Sequence, residues 1–170
     1  NLSKMANDLR LLSSGPKTGL GEINLPSMQN GSSIMPGKIN PVIPEVVSQV
    51  AFNIMGNDFT ITMAAEAGQL ELNAFEPVLF YNLFESIETL RNATKTFVDN
   101  CILGITANKE RCAQLVNDSV GIVTVLCPYI GYKKSADIAK EALKTGISVK
   151  EIILREGILS IRELNEILDP

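Results

Sequence analysis

A chain of 170 residues is long enough to bury a real core as one domain, or as a domain with a small appendage. With 45% hydrophobic and 20% charged residues it has an ordinary globular composition, and a formal net charge of −4 offers nothing to nucleic acid or to an anionic membrane. Its apolar stretches are broken by Asn, Asp, Glu or Gln too often to span a bilayer, and no signal peptide is visible.

Residues 2–13 put Leu2, Met5, Leu9 and Leu12 on one helical face, which predicts the tail of an amphipathic helix. Gly15-Pro16 stops it. The chain begins at Asn1 rather than Met and in mid-pattern, which reads as a fragment of a longer protein. From Gly15 to Asn40 there is no periodicity, only glycine and proline punctuation. A loop of about 25 residues inside a compact protein is the kind that carries function.

Next comes a helix expected to begin at Pro41 or Pro44, with Glu45 complementing its dipole, and to end near Ala67. Such a helix is about 35 Å long. It holds no Lys or Arg, and a helix with so little polar face must be covered by other helices on most sides. One chain of this size supplies too few neighbours, so the pattern predicts an oligomeric bundle. A second long helix is expected over 74–100, where Leu79, Phe80, Leu83, Phe84, Ile87, Leu90 and Phe97 recur at helical spacing as bundle core.

Near residue 104 the helices become short, with expected spans of 108–118, 121–127, 134–145, 149–156 and 161–168. Ser148 to Glu151 and Ser160 to Glu163 each read as a capping box. No strand pairing is convincing, although 121–126 is β-branched enough to compete with a helix. The expected class is all-α: a long-helix bundle segment, 1–104, carrying a loop at 27–40, and a small helical domain, 105–170.

Cys101, Cys112 and Cys127 are odd in number and show no C-x-x-C spacing, which argues against a disulfide framework or a zinc site and for inert thiols in a reducing cytoplasm. The chain has no histidine, so any proton transfer within it falls to Ser, Lys, Tyr or a carboxylate.

The chemistry concentrates in Gly31-Ser32-Ser33-Ile34-Met35-Pro36-Gly37-Lys38-Ile39-Asn40. Glycines let backbone N–H groups turn toward an anion, the following helix N-terminus carries partial positive charge, and Lys38 adds a full one. Asn40 can donate from its amide, and Ser32 and Ser33 can donate or, deprotonated, accept a proton. The plain alternative is a surface turn with a solvated lysine.

The pattern Gly-Ser-Ser-x-x-Pro-x-Lys-x-Asn, present as GSSIMPGKIN, resembles the signature of the aspartase/fumarase superfamily of lyases. Its flanks, from GPKTGLGEINLPSMQN before the motif to PVIPEVVSQVAFNIMGND after it, resemble the aspartase branch, as do AGQLELNAFEPV and NCILGITANKE. The resemblance runs almost the full length of the chain but covers only the C-terminal part of such an enzyme. It implies reversible elimination of ammonia from L-aspartate to give fumarate, through an aci-carboxylate intermediate. On that resemblance Ser32 is the catalytic base, Ser33 binds the carboxylate that collects charge, and Lys38, Ile39 and Asn40 belong to the substrate site. Glu45 matches a position whose carboxylate pairs with a histidine of another subunit. The resemblance further implies a homotetramer with composite active sites and no organic cofactor, some members responding to divalent metal. Competing readings are class II fumarase, which shares the loop but adds water, and a non-catalytic helical assembly module.

Overall fold

The computed structural model describes residues 1–29, 31, 34, 35 and 39–168. Among them are eight α-helices, one short 3-10 turn and one two-residue strand pair, so the all-α expectation holds. The chain forms two compact units, Asn1–Asn108 and Lys109–Pro170.

The first unit opens with α1, Leu2–Leu12. Leu2 and Leu9 pack against its core as the periodicity predicts, but Ala6 is fully buried and Met5 is exposed. A methyl side chain lets α1 lie close to its neighbours, and the longer Met5 is turned out. After a looped stretch come α2, Val42–Glu66, and α3, Glu76–Asn100. These pack along each other, and Asn57 Nδ2 donates across the seam to Ser86 Oγ at 3.0 Å. Asn73 ties the connection between them: its amide donates to the Ala64 carbonyl at 2.8 Å, while its oxygen accepts from the Phe75 N–H at 2.8 Å.

Small side chains, Ala64, Ser86 and Ala93, are the ones buried along much of this hairpin. The large apolar ones stay outside. Phe59 is 68% exposed and Phe84 63%, and Phe80 stacks on Phe84 with ring centroids 6.0 Å apart. Within this chain the stripe expected as bundle core on α3 is half-buried at Leu79 and Leu83 and fully buried only at its end, at Phe97. There Ala6, Val47, Phe97 and Cys101 form a compact cluster, with Leu2, Leu9, Leu25 and Ile43 packed against it. That cluster sits where α1, the start of α2 and the end of α3 meet, and it fixes both ends of the loop between α1 and α2.

The expectation that no strands pair fails at one place. Ile23–Asn24 (β1) pairs antiparallel with Thr106–Ala107 (β2), register Ile23 to Ala107 and Asn24 to Thr106. Two residues per strand are too short to show alternation, and the partners are separated by most of the unit. Because of this pairing the first unit closes at Asn108, beyond the change of character at residue 104.

The second unit holds α4 (Lys109–Asp118), α5 (Ile122–Ile130), α6 (Tyr132–Thr145), α7 (Val149–Arg155) and α8 (Ile161–Leu168). Its core is Ile122, Leu126, Ile138, Ala142, Val149, Ile152, Ile153 and Leu164. The β-branched run at 121–126 is thus helical, since Ile122 and Leu126, one turn apart, both face that core. Gly131, at φ 79°, breaks α5 from α6 in a conformation few other residues adopt. Ion pairs link α6 to the end of α7: Lys134 to Glu156 at 2.6 Å and Arg155 to Glu141 at 2.5 Å.

No single helix among the described residues is long and apolar enough to cross a membrane.

Candidate functional site

The signature lies within the first unit, in the segment between β1 and the N-terminus of α2. On the leading side, Leu25 packs against the core cluster, and Pro26 lies so close to Gly104 that a Cβ there would overlap its ring. On the returning side, the Val42 N–H donates to the Asn40 carbonyl at 2.9 Å, and the Glu45 N–H donates to Pro41 at 3.1 Å. Pro41 caps α2 and Pro44 lies buried in its first turn, as proline near a helix start allows.

Between these stems the described residues are mostly exposed, with Ile34 at 84%. Ser32, Ser33 and Lys38, three of the residues that the motif singles out, lie outside the described residues. Ile39 is exposed and Asn40 is half-buried. The Asn40 Nδ2 donates to the Gly31 carbonyl at 3.0 Å, which joins the first and last residues of the signature into a closed ring. An amide nitrogen carries two hydrogens, so this bond leaves one donor for a ligand. Glu45 lies 3.6 Å from the Arg10 guanidinium, so among the described residues its ion-pair partner comes from α1.

Sequence reasoning passed over the side chains that hold the leading stem. Asn108 Nδ2 donates to the Gly21 carbonyl at 2.7 Å, and its backbone N–H donates to Glu22 at 2.8 Å. Asn24 and Asn108 exchange amide hydrogen bonds, 2.5 and 3.1 Å, and Asn24 also reaches Thr106 Oγ1 at 3.3 Å. Nothing local in either sequence segment signals this; it needs the register of β1 on β2.

Among the described residues no group of three His, Cys, Asp or Glu could hold a metal ion. Cys101 is buried, and that burial pushes its thiol up, away from the reactive thiolate.

Comparison with known proteins bears on this loop directly. Residues 1–56 match the family described as Lyase, and residues 122–170 match Fumarase C C-terminus. Over 170 residues the chain is 56% identical to the aspartate ammonia-lyase of a Bacillus species, covering 100% of this chain and 36% of the relative. Over 169 residues it is 59% identical to the aspartate ammonia-lyase of Helicobacter pylori, covering 99% of this chain and 36% of that one. The Escherichia coli aspartate ammonia-lyase is 56% identical over 166 residues, 98% of this chain and 35% of the relative. Of solved structures, fumarate lyase:delta crystallin from Brucella melitensis bound to cobalt superposes with a TM-score of 0.93 at 54% identity, covering 99% of this chain and 36% of that one. A class II fumarase from Schistosoma mansoni superposes with a TM-score of 0.87 at 42% identity, covering 99% of this chain and 35% of that one. The chain thus spans about a third of the length of the curated relatives it matches.

Proposed function

The chain belongs to the aspartase/fumarase superfamily of lyases, and from that premise we propose that it is the C-terminal part of an aspartate ammonia-lyase, which reversibly converts L-aspartate to fumarate and ammonia. The observation that carries the reading is identity above half, along the whole chain, with proteins of that name. In this reading the first unit is the end of a central helical-bundle domain, and the second is a small C-terminal helical domain.

The chemical problem is a poorly acidic Cβ proton beside a carboxylate. Its removal becomes accessible when that carboxylate is held tightly enough to accept the charge as an aci-carboxylate. Developing charge of this kind is stabilised by fixed donors, and losing one such donor costs about 10²–10³ in rate. Ser32 takes the proton; Ser33 and backbone N–H groups of the glycine-flanked loop receive the carboxylate that collects charge. Lys38 and the second amide hydrogen of Asn40 hold the other carboxylate, with Ile39 beside them. A serine serves as base only where its alkoxide is stabilised by a cationic, preorganised setting, and Lys38 with the start of α2 supplies positive potential nearby. No organic cofactor takes part. The parent assembles as a homotetramer in which other subunits complete each site, and Glu45 orients a partner histidine.

Fumarate hydration is the second reading, favoured by the superposition on a class II fumarase. A fumarate absorbance assay on the full-length enzyme decides between them. We expect turnover of L-aspartate and little of malate; faster turnover of malate overturns the ammonia-lyase reading.

A further inference from the structure

We propose that Asn108, acting with Asn24, is a positioning residue: the pair forms a clip that sets where the leading stem of the signature loop leaves the protein. The segments it joins are 84 residues apart in sequence. Beyond Pro26 the described loop residues Ser27 to Gln29, Ile34, Met35 and Ile39 are exposed, with Gly31 and Asn40 half-buried where they bond each other, so burial does little to place them. What places the described loop residues is therefore the bonding at the two stems. On the returning side the Asn40 to Gly31 bond and the first turn of α2 serve. On the leading side the clip serves, with Leu25 and Pro26 seated just beyond it.

The orientation of the clip is determined. A carbonyl can only accept, so Gly21 fixes the Nδ2 of Asn108 toward itself. The Asn108 Oδ1 then faces Asn24 and fixes that amide in turn. A leucine or serine at either position breaks the chain of donors and acceptors. A side chain elsewhere that shifts reacting groups by about 1 Å can cost 10²-fold in rate, which is the order expected when a loop carrying a base loses one stem.

The kinetic half of this inference rests on the lyase reading; the structural half does not. The test compares wild type with Asn108→Asp and Asn108→Ala in the full-length enzyme, by hydrogen exchange without ligand and by steady-state kinetics with L-aspartate. Asn108→Asp keeps the shape and the acceptor for Asn24 but places a carboxylate against the Gly21 carbonyl. We expect faster exchange confined to 22–40, unchanged exchange in α2 and α3, an unchanged thermal midpoint, and kcat lowered about 10- to 100-fold with a smaller change in KM. Unchanged exchange over 22–40 overturns the clip. A uniform rise in exchange with a lowered midpoint reduces it to a general structural contact and overturns it equally. Unchanged kcat with a loosened loop overturns the positioning role. Wild-type enzyme inert toward L-aspartate removes the lyase reading, and exchange still decides the clip.

Discussion

In the proposed mechanism Ser32 and Lys38 divide the work of the loop differently, and single substitutions separate them. Ser32→Ala in the full-length enzyme removes the proposed base while leaving every charge in place. It should abolish turnover and leave binding of a competitive dicarboxylate largely intact. Lys38→Ala removes a charge-assisted contact and should weaken that binding as well. Inhibition constants measured beside turnover check both, and wild-type turnover in Ser32→Ala would remove the base assignment. The sequence singles these residues out because the motif is local. It does not single out Asn24 and Asn108, because their meaning depends on a pairing across most of the unit. Glu156 shows a third residue-scale effect. Its hydrogen bond from Lys134, with the nearby Arg155 charge, holds its carboxyl below the usual carboxylate range. A carboxyl with a lowered folded pKa adds stability above its unfolded pKa and loses it as pH falls through the folded one. Glu156→Gln should therefore lower the midpoint slightly near neutral pH, the groups being exposed. The gap should close as pH falls through and below the carboxylate range, which a series of thermal melts between neutral and acid pH would show.

Element ends are set by short-range chemistry, and there the sequence is most readable. Ser160 and Glu163 make the full reciprocal box: the Ser160 N–H donates to Glu163 Oε2 at 2.8 Å, and the Glu163 N–H donates to Ser160 Oγ at 3.3 Å. Ser148 likewise accepts from the Glu151 N–H at 3.2 Å. Ser160→Ala leaves one helix N–H without its partner and should cost about 1 kcal/mol, measured by chemical unfolding of the whole chain. Ile152 is fully buried in the core beneath α7, and Ile152→Ala should cost about 2–5 kcal/mol in the same experiment. A smaller loss at Ile152 than at Ser160 would mean that the second unit is not held by its apolar core. Periodicity is less informative about facing. It identifies α3 from residues such as Phe80, Phe84 and Ile87, yet these are exposed, while Asn57 and the buried Ser86 hydrogen-bond across the seam with α2. A helix with apolar residues around most of its circumference has a period but no single inward direction. Only the packing partners choose one.

At the scale of the molecule, the unresolved balance is between the apolar surface of the long helices and what this chain has to cover it. Phe52, Met55, Phe59 and Met63 line one side of α2, Phe80, Phe84 and Ile87 one side of α3, and all are exposed. Covering such surface is worth about 25 cal/mol per Å², and contiguous apolar faces of this kind mark association sites. The chain alone should therefore self-associate into a helical oligomer, a tetramer if it follows the proposed parent. It should also be inert. The proposed site is composite, with a histidine supplied by another subunit, and the chain has no histidine. Ser32 would then sit beside an incomplete site. Light scattering and an ammonia-release assay on the isolated chain test the two halves separately. Phe59→Glu with Phe84→Glu should shift the oligomer toward monomer, because each buries a carboxylate in any interface built on these faces. A monodisperse wild-type monomer would undo the association argument. Measurable turnover of L-aspartate by the isolated chain would undo the composite site, since 170 residues would then hold all the chemistry the reaction needs.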